Sequence, residues 1–327
     1  MNRRMFQMAS CVTPVAFFIY ISVDVGLPTA YAAENLRVGK SIGVSFTYVP
    51  LDVGISQDIF QKQGIDIEVY NFGGAARQMQ AMVSDSVDIG LGSTTSMAQI
   101  VKGAPIIAVG PVANSVANIG ILVSADSSIK TLTDLKEKKI GITSAGSLTD
   151  WMVRELNRSQ SWDRDGALAV TIGSSRAGNM AALKVGNIDA LIDDFSTVFD
   201  PAAATSIRLL ATASTFSRNF VREVIFATNT AIKQRPDAVR RFVKGWLESI
   251  AFVKSHRAES SAIGGKVQSI SPEDYGRMYD AAISMFSDTG RFEPAKLEVL
   301  RSSFVELGLL PTAPDMSGLY TEEFLPK

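Results

Sequence analysis

Three junctions in the sequence place glycine and hydroxyl residues directly after short apolar runs. Val87 to Leu91 leads into Gly92-Ser93-Thr94-Thr95-Ser96, and Lys139 to Thr143 leads into Ser144-Ala145-Gly146-Ser147-Leu148-Thr149-Asp150. Ile65 to Tyr70 leads into Asn71-Phe72-Gly73-Gly74-Ala75. Glycine allows close backbone approach, Ser and Thr hydroxyls both donate and accept, and free amides at a helix start favour anionic groups. The chemistry on offer is recognition of a small polar solute. Any one of these junctions also reads as a helix cap, with Ser147-x-x-Asp150 forming a capping box. Three of them at equivalent strand ends predict a shared mouth formed by Gly73, Gly74, Ser93, Thr94, Thr95, Gly146, Ser147 and Thr149.

Other residues could add walls or charge to that mouth. Phe46 and Tyr48 follow the first strand in a loop before Pro50 and are expected to line an apolar wall, with core burial as the alternative. Asp193-Asp194 closes a later strand at the same kind of position, and Asp194 is expected to face the ligand. Adjacent carboxylates there disfavour an anion unless a cation compensates. Arg77 and Arg176 stand near helix starts and could clamp a sulfonate or carboxylate, although the exposed-arginine reading is favoured for each. The single histidine, His256, lies in a polar stretch and reads as a surface residue. There is no P-loop, no dinucleotide fingerprint and no clustered metal-ligand spacing, so no catalytic group, cofactor or metal is expected.

Positioning such a mouth takes alternating strands and helices. Eight short β-rich runs, from Leu36 to Ile192, alternate with helical patterns, which predicts parallel sheets flanked by helices. Ala81-Met82-Val83-Ser84-Asp85-Ser86-Val87-Asp88 is echoed by Ala182-Leu183-Lys184-Val185-Gly186-Asn187-Ile188-Asp189, predicting two similar lobes. After Ile225 the pattern turns helical over Pro236 to Lys254, Pro272 to Phe286 and Pro294 to Leu307, each opening on a proline at its first turn. Val239, Phe242, Val243, Trp246, Leu247 and Ile250 share one apolar face, so these helices are expected to return and cover the first lobe.

Composition bounds the rest. The chain has 327 residues, 46% of them hydrophobic and 20% charged, which suits two globular units. A formal charge of -1 leaves no basic excess for a phosphate backbone, so nucleic acid is not an expected partner. Arg3 and Arg4, an apolar stretch from Val12 to Val23, and Ala30-Tyr31-Ala32 read as a signal peptide over residues 1–32, with an uncleaved anchor as the alternative. Arg3-Arg4 partly matches a twin-arginine signal. The one cysteine, Cys11, falls within that segment, so the remainder offers no thiol chemistry.

Pro50-Leu51-Asp52-Val53-Gly54, Gln63-Gly64-Ile65-Asp66-Ile67-Glu68-Val69, Gly74 to Gly92, Leu132-Thr133-Asp134-Leu135-Lys136, Lys139-Ile140-Gly141, Gly146-Ser147-Leu148-Thr149-Asp150 and Ala182 to Ala190 resemble segments of one family. It is that of the substrate-binding proteins of nitrate, sulfonate and taurine ABC transporters, which share a domain with thiamine-pyrimidine synthases. The resemblance covers about residues 36 to 255. It implies an α/β, two-lobed, type 2 periplasmic-binding-protein fold, each lobe a mostly parallel sheet, with the C-terminal helices packed on lobe one. Lobe one would span residues 35–115 plus 229–327 and lobe two 116–228, with crossings near Asn114 and Asn229. It further implies a periplasmic monomer that traps a small organic solute of sulfonate, carboxylate or aromatic type by hinge closure and docks on permease subunits. Phe46, Tyr48, the Gly73-Gly74 loop, Ser93 to Ser96 and Gly146 to Thr149 would supply the contacts. Asp193-Asp194 departs from the family pattern and puts a bare inorganic anion in doubt. The competing readings are a thiamine-pyrimidine-synthase-like enzyme and a ligand-sensing domain.

Overall fold

The computed structural model describes residues 33–162, 165–173, 175–199 and 203–327. The expected signal peptide lies outside them. Among the described residues no helix is long and apolar enough to cross a membrane.

Among the described residues there are ten strands: β1 (Glu34–Lys40), β2 (Ile65–Asn71), β3 (Ile89–Ser93), β4 (Ile106–Ala113), β5 (Ile119–Ser124), β6 (Lys139–Ile142), β7 (Leu168–Thr171), β8 (Ala190–Asp194), β9 (Ile207–Thr212) and β10 (Glu223–Thr228). They form two five-stranded sheets, ordered β2-β1-β3-β10-β4 and β7-β6-β8-β5-β9. The first three strands of each order run parallel, with helices such as Ala75–Val83 and Arg176–Lys184 as crossovers. In the fourth place each sheet holds one antiparallel strand, β10 in the first and β5 in the second. The two sheets therefore share one plan, and the α/β two-sheet architecture expected from the sequence is present.

The sequence echo has a physical cause. Asp88 Oδ2 accepts from the backbone N–H of Arg37 at 2.9 Å while its own N–H donates to Arg37 O at 2.9 Å. Asp189 repeats both bonds with Lys139, each at 2.8 Å. Each Asp thus fastens the start of one strand to its neighbour. The turn before each Asp needs a left-handed residue, supplied by Asp85 (φ 52°) and Gly186 (φ 73°).

The return crossing differs from the expectation. Strand β10 pairs with β3 and β4 of the first sheet, so the chain has already returned by Glu223 and the crossings are residues 114–118 and 213–222. A boundary at Asn229 assigns this buried apolar strand to the wrong sheet, because its membership is fixed by pairing partners more than 100 residues away. Strand β9 and the Arg257–Gln268 helix likewise have no clear mark in the sequence. That helix contains Gly264 and Gly265, which are poor helix formers. Tertiary packing explains Gly264, where a Cβ would meet the Tyr275 ring at 2.1 Å.

The long helix Pro236–Ser255 packs as expected on the first lobe. Its Phe242 stacks on Phe60 with centroids 5.4 Å apart, and Gly54 lies against Ser249. The last helix, Pro294–Glu306, reaches further: Glu306 Oε2 accepts from Trp151 Nε1 at 2.9 Å, on the first helix of the second lobe, Leu148–Ser159. Beyond it the chain returns to the first sheet, where Tyr320 bridges Ala108 of β4.

Candidate functional site

The carboxyl ends of parallel strands are where ligands bind in open α/β sheets. Here those ends surround a cavity of about 430 Å³. The first lobe contributes Ile42, Gly43 and Val44 after β1 and Gly73 after β2. The second contributes Thr143 after β6, Gly173 after β7, Arg176 and Asn179 from one helix, and Leu191 to Asp194 from β8. Gln268, the last residue of the Arg257–Gln268 helix, completes the wall.

Gly73 and Gly74 give the β2 junction its shape. Their φ values of 62° and 149° lie in the positive region that favours glycine, and the Gly74 N–H donates to Ser41 O at 2.6 Å. On the opposite side Thr143, Ser147 and Thr149 form a hydroxyl knot. The Thr143 N–H donates to Thr149 Oγ1 at 2.9 Å, Thr143 Oγ1 donates to Ser147 Oγ at 2.9 Å, and Ser147 and Thr149 lie 2.9 Å apart. The knot fixes the strand-to-helix turn and leaves Thr143 on the cavity wall.

Asp193 and Asp194 are adjacent but placed in different roles. Asp194 Oδ2 accepts from Ser45 Oγ at 3.0 Å and Asn118 Nδ2 at 2.6 Å, and its Oδ1 from the Ser196 N–H at 3.1 Å. Arg222 Nη1 donates to Asn118 Oδ1 at 2.9 Å. Asp194 thus ties the loop after β1 to β8 and to both crossings. Asp193 is held by the Asp194 N–H at 2.8 Å and by Thr197 Oγ1 at 3.3 Å. Burial pushes its carboxyl up to about 6, reinforced by the Asp194 charge and opposed by the Asp194 N–H, Arg176 and Thr197. Asn179 is 4% exposed and its Oδ1 has no hydrogen-bond partner.

The other expected contacts are distributed differently. Phe46 is fully buried, packed against Tyr275, Tyr279 and Phe286 with centroids 5.6 to 6.4 Å away, so its ring belongs to the core. Tyr48 is likewise buried, with its hydroxyl 2.8 Å from Ser41 Oγ and 3.2 Å from Leu91 O. Thr94 is buried and donates to Val221 O at 2.8 Å, anchoring a crossing. Ser93 Oγ caps its own turn through the Thr95 N–H at 3.3 Å, as the capping alternative had it. Thr95 and Gly146 line a separate, uncharged cavity of about 810 Å³ with Met79, Gln99 and Leu309. Of the expected contacts, Gly73 and Asp194 reach the smaller cavity directly. Asn179 and Gln268 carry no sequence signal: Asn179 sits in a helix whose pattern reads as surface and core, and the Arg257–Gln268 segment has no helical pattern to read. His256 stacks on Phe252 with centroids 4.0 Å apart and lines none of these cavities. Among the described residues no group of three His, Cys, Asp or Glu side chains could hold a metal ion.

Two sheets joined by two crossings, with their strand ends facing one cavity, define the periplasmic-binding-protein fold. The comparisons agree. The periplasmic aliphatic sulphonate binding protein SsuA from Escherichia coli matches with a TM-score of 0.71 at 19% identity, over 88% of this chain and 92% of that one. The periplasmic nitrate-binding protein NrtA from Synechocystis PCC 6803 matches at 0.70 and 14%, over 89% and 87%. The NMT1/THI5 like family model matches residues 45–260, and the chain belongs to that family. A putative thiamine biosynthesis protein from Haemophilus influenzae is 24% identical over 188 residues, 56% of this chain. The match spans 57% of that curated relative's length.

Proposed function

We propose that the chain is the solute-binding component of an ABC importer, working outside the cytoplasm and delivering a small organic solute to membrane permease subunits. The solute would sit in the 430 Å³ cavity, and closure about residues 114–118 and 213–222 would trap it. One observation carries this reading: the buried, unpartnered Asn179 Oδ1 on a wall built from the strand ends of both sheets. A buried acceptor left without a donor is costly, and a bound solute would supply one. The fold family supports the transport role, since two of the matching structures are named as sulphonate- and nitrate-binding proteins.

The name of the Haemophilus influenzae relative keeps an enzyme reading in view. Thermal unfolding with a panel of sulfonates, carboxylates, aromatic acids, pyrimidines and amines separates the two. A binding protein gains about 2.7 kcal/mol at 100 times the dissociation constant and returns the solute unchanged. Turnover of any panel compound, or stabilisation by none, refutes the proposal.

A further inference from the structure

Resting on the reading of this cavity as the solute site, we propose that it selects solutes donating hydrogen bonds from nitrogen. The chemical class is a protonated amine, amidine or guanidine, received by Asn179, Asp193 and Gln268.

The lining is rich in acceptors and short of positive charge. Asn179 Oδ1 is an open acceptor on a residue more than nine-tenths buried. Each Asp193 oxygen accepts one bond, from the Asp194 N–H or Thr197 Oγ1, and a carboxylate oxygen can accept a second. Arg176 is the one cation among the described lining residues, and its charge acts on Asp193. Against it stand the carboxylate of Asp193 at the cavity and, behind it, that of Asp194, which is turned to Ser45, Asn118 and the Ser196 N–H. The remaining walls, Ile42, Val44, Leu191 and Ile192, are apolar and weaken the screening of these charges.

An anion placed here would meet Asp193 and leave Asn179 Oδ1 unpaired. A cationic nitrogen group satisfies both. The charged groups acting on Asp193 are Arg176, from the helix above it, and Asp194 beside it; Thr197 is neutral. Because burial holds the Asp193 carboxyl at about 6, a cation should bind more tightly as pH rises through that value. An anion should do the reverse.

The test is titration calorimetry on the full chain without its first 32 residues, using benzamidine, phenylguanidine and phenethylamine against benzenesulfonate, from pH 5 to 8. At least one cation should bind and benzenesulfonate should not, with affinity falling at least several-fold from pH 7.5 to pH 5. Asp193→Asn should weaken the bound cation about tenfold and flatten its pH dependence, and Asn179→Ala should weaken it several-fold. Circular dichroism of each variant checks folding, and Asn179→Asp, which keeps an acceptor, should retain cation binding. Absence of binding by all three cations overturns the proposal. Benzenesulfonate binding that tightens in Asp193→Asn leaves the site standing and overturns the solute class. Probe affinities unchanged by both Asp193→Asn and Asn179→Ala overturn the site itself.

Discussion

Replacing Glu306 by alanine should unfasten the last helix from the second lobe. Glu306 Oε2 is the acceptor for the indole N–H of Trp151, at 2.9 Å, and Trp151 is 1% exposed. Both Glu306 oxygens also accept from Arg218 Nη2, at 2.9 and 3.0 Å. Arg218 keeps a second partner in Glu155, with contacts from 2.8 to 3.1 Å, so its loss is partial. An indole donor bonded to a charged acceptor is worth about 1.5 to 3 kcal/mol. The half-exposed Arg218–Glu306 pair adds at most about 1 kcal/mol. The expected loss is therefore about 1.5 to 4 kcal/mol, which in a chain of this size lowers Tm by roughly 2 to 6 °C.

Urea unfolding followed by tryptophan fluorescence measures this directly. A double-mutant cycle with Trp151→Phe isolates the bond, because Phe fills most of the space without the donor. A coupling energy of about 1 kcal/mol or more is expected. Loss below about 0.5 kcal/mol, or a coupling energy near zero, refutes the claim that Glu306 fastens the helix to the second lobe.

Thr94→Val should cost about 1 to 3 kcal/mol by leaving the Val221 carbonyl unpaired, yet leave solute affinity unchanged, as thermal unfolding and titration calorimetry will show. Gly54→Ala pushes a Cβ to 2.2 Å from Ser249 Oγ and 2.5 Å from Phe60, and should lower stability in urea by about 1 to 3 kcal/mol. Burial opposes the charge of Glu155, but bonds from Arg158 and Arg218 outweigh it and hold the carboxyl below its ordinary value. Stability from Glu155 is thus present at neutral pH and lost as pH falls below about 4.5, its unfolded value, so Glu155→Gln should flatten the acid limb of a stability-versus-pH curve. Asp193 acts in the opposite sense: its raised carboxyl adds stability below about 3.9 that is lost as pH rises through about 6. Asp193→Asn should therefore be more stable than the parent at pH 7.5 and lose that advantage at pH 4.

The two-lobed plan was legible because it is written in local chemistry. An Asp that captures the N–H of a neighbouring strand, after a left-handed turn residue, must recur wherever that strand junction recurs. Asp88 and Asp189 both show it. What depended on distant partners was not legible. Glu223-Val224-Ile225-Phe226-Ala227-Thr228 reads as a buried strand in either sheet, and its pairing with β3 and β4 decides where the chain crosses. Phe46 looks like a cleft wall until Tyr275, Tyr279 and Phe286, more than 220 residues later, enclose it. Asn179 and Gln268 have no motif around them, and their importance comes from which wall the fold gives them.

The paired aspartates join binding to closure. Successive residues of a strand point to opposite sides, which lets Asp193 keep a carboxylate at the cavity while Asp194 turns to Ser45, Asn118 and the Ser196 N–H. Through Asn118 the same network reaches Arg222, so it touches the loop after β1, the end of β8 and both crossings. A ligand can shift a conformational equilibrium only by the difference in its affinity for the two states. A solute held by Asp193 and Asn179 alone would contact one lobe and favour neither state. Ile42, Gly43 and Gly73 of the first lobe line the same cavity, and Ser45 of that lobe donates to Asp194 of the second. A solute touching residues of both lobes would therefore favour this arrangement over one in which the lobes part.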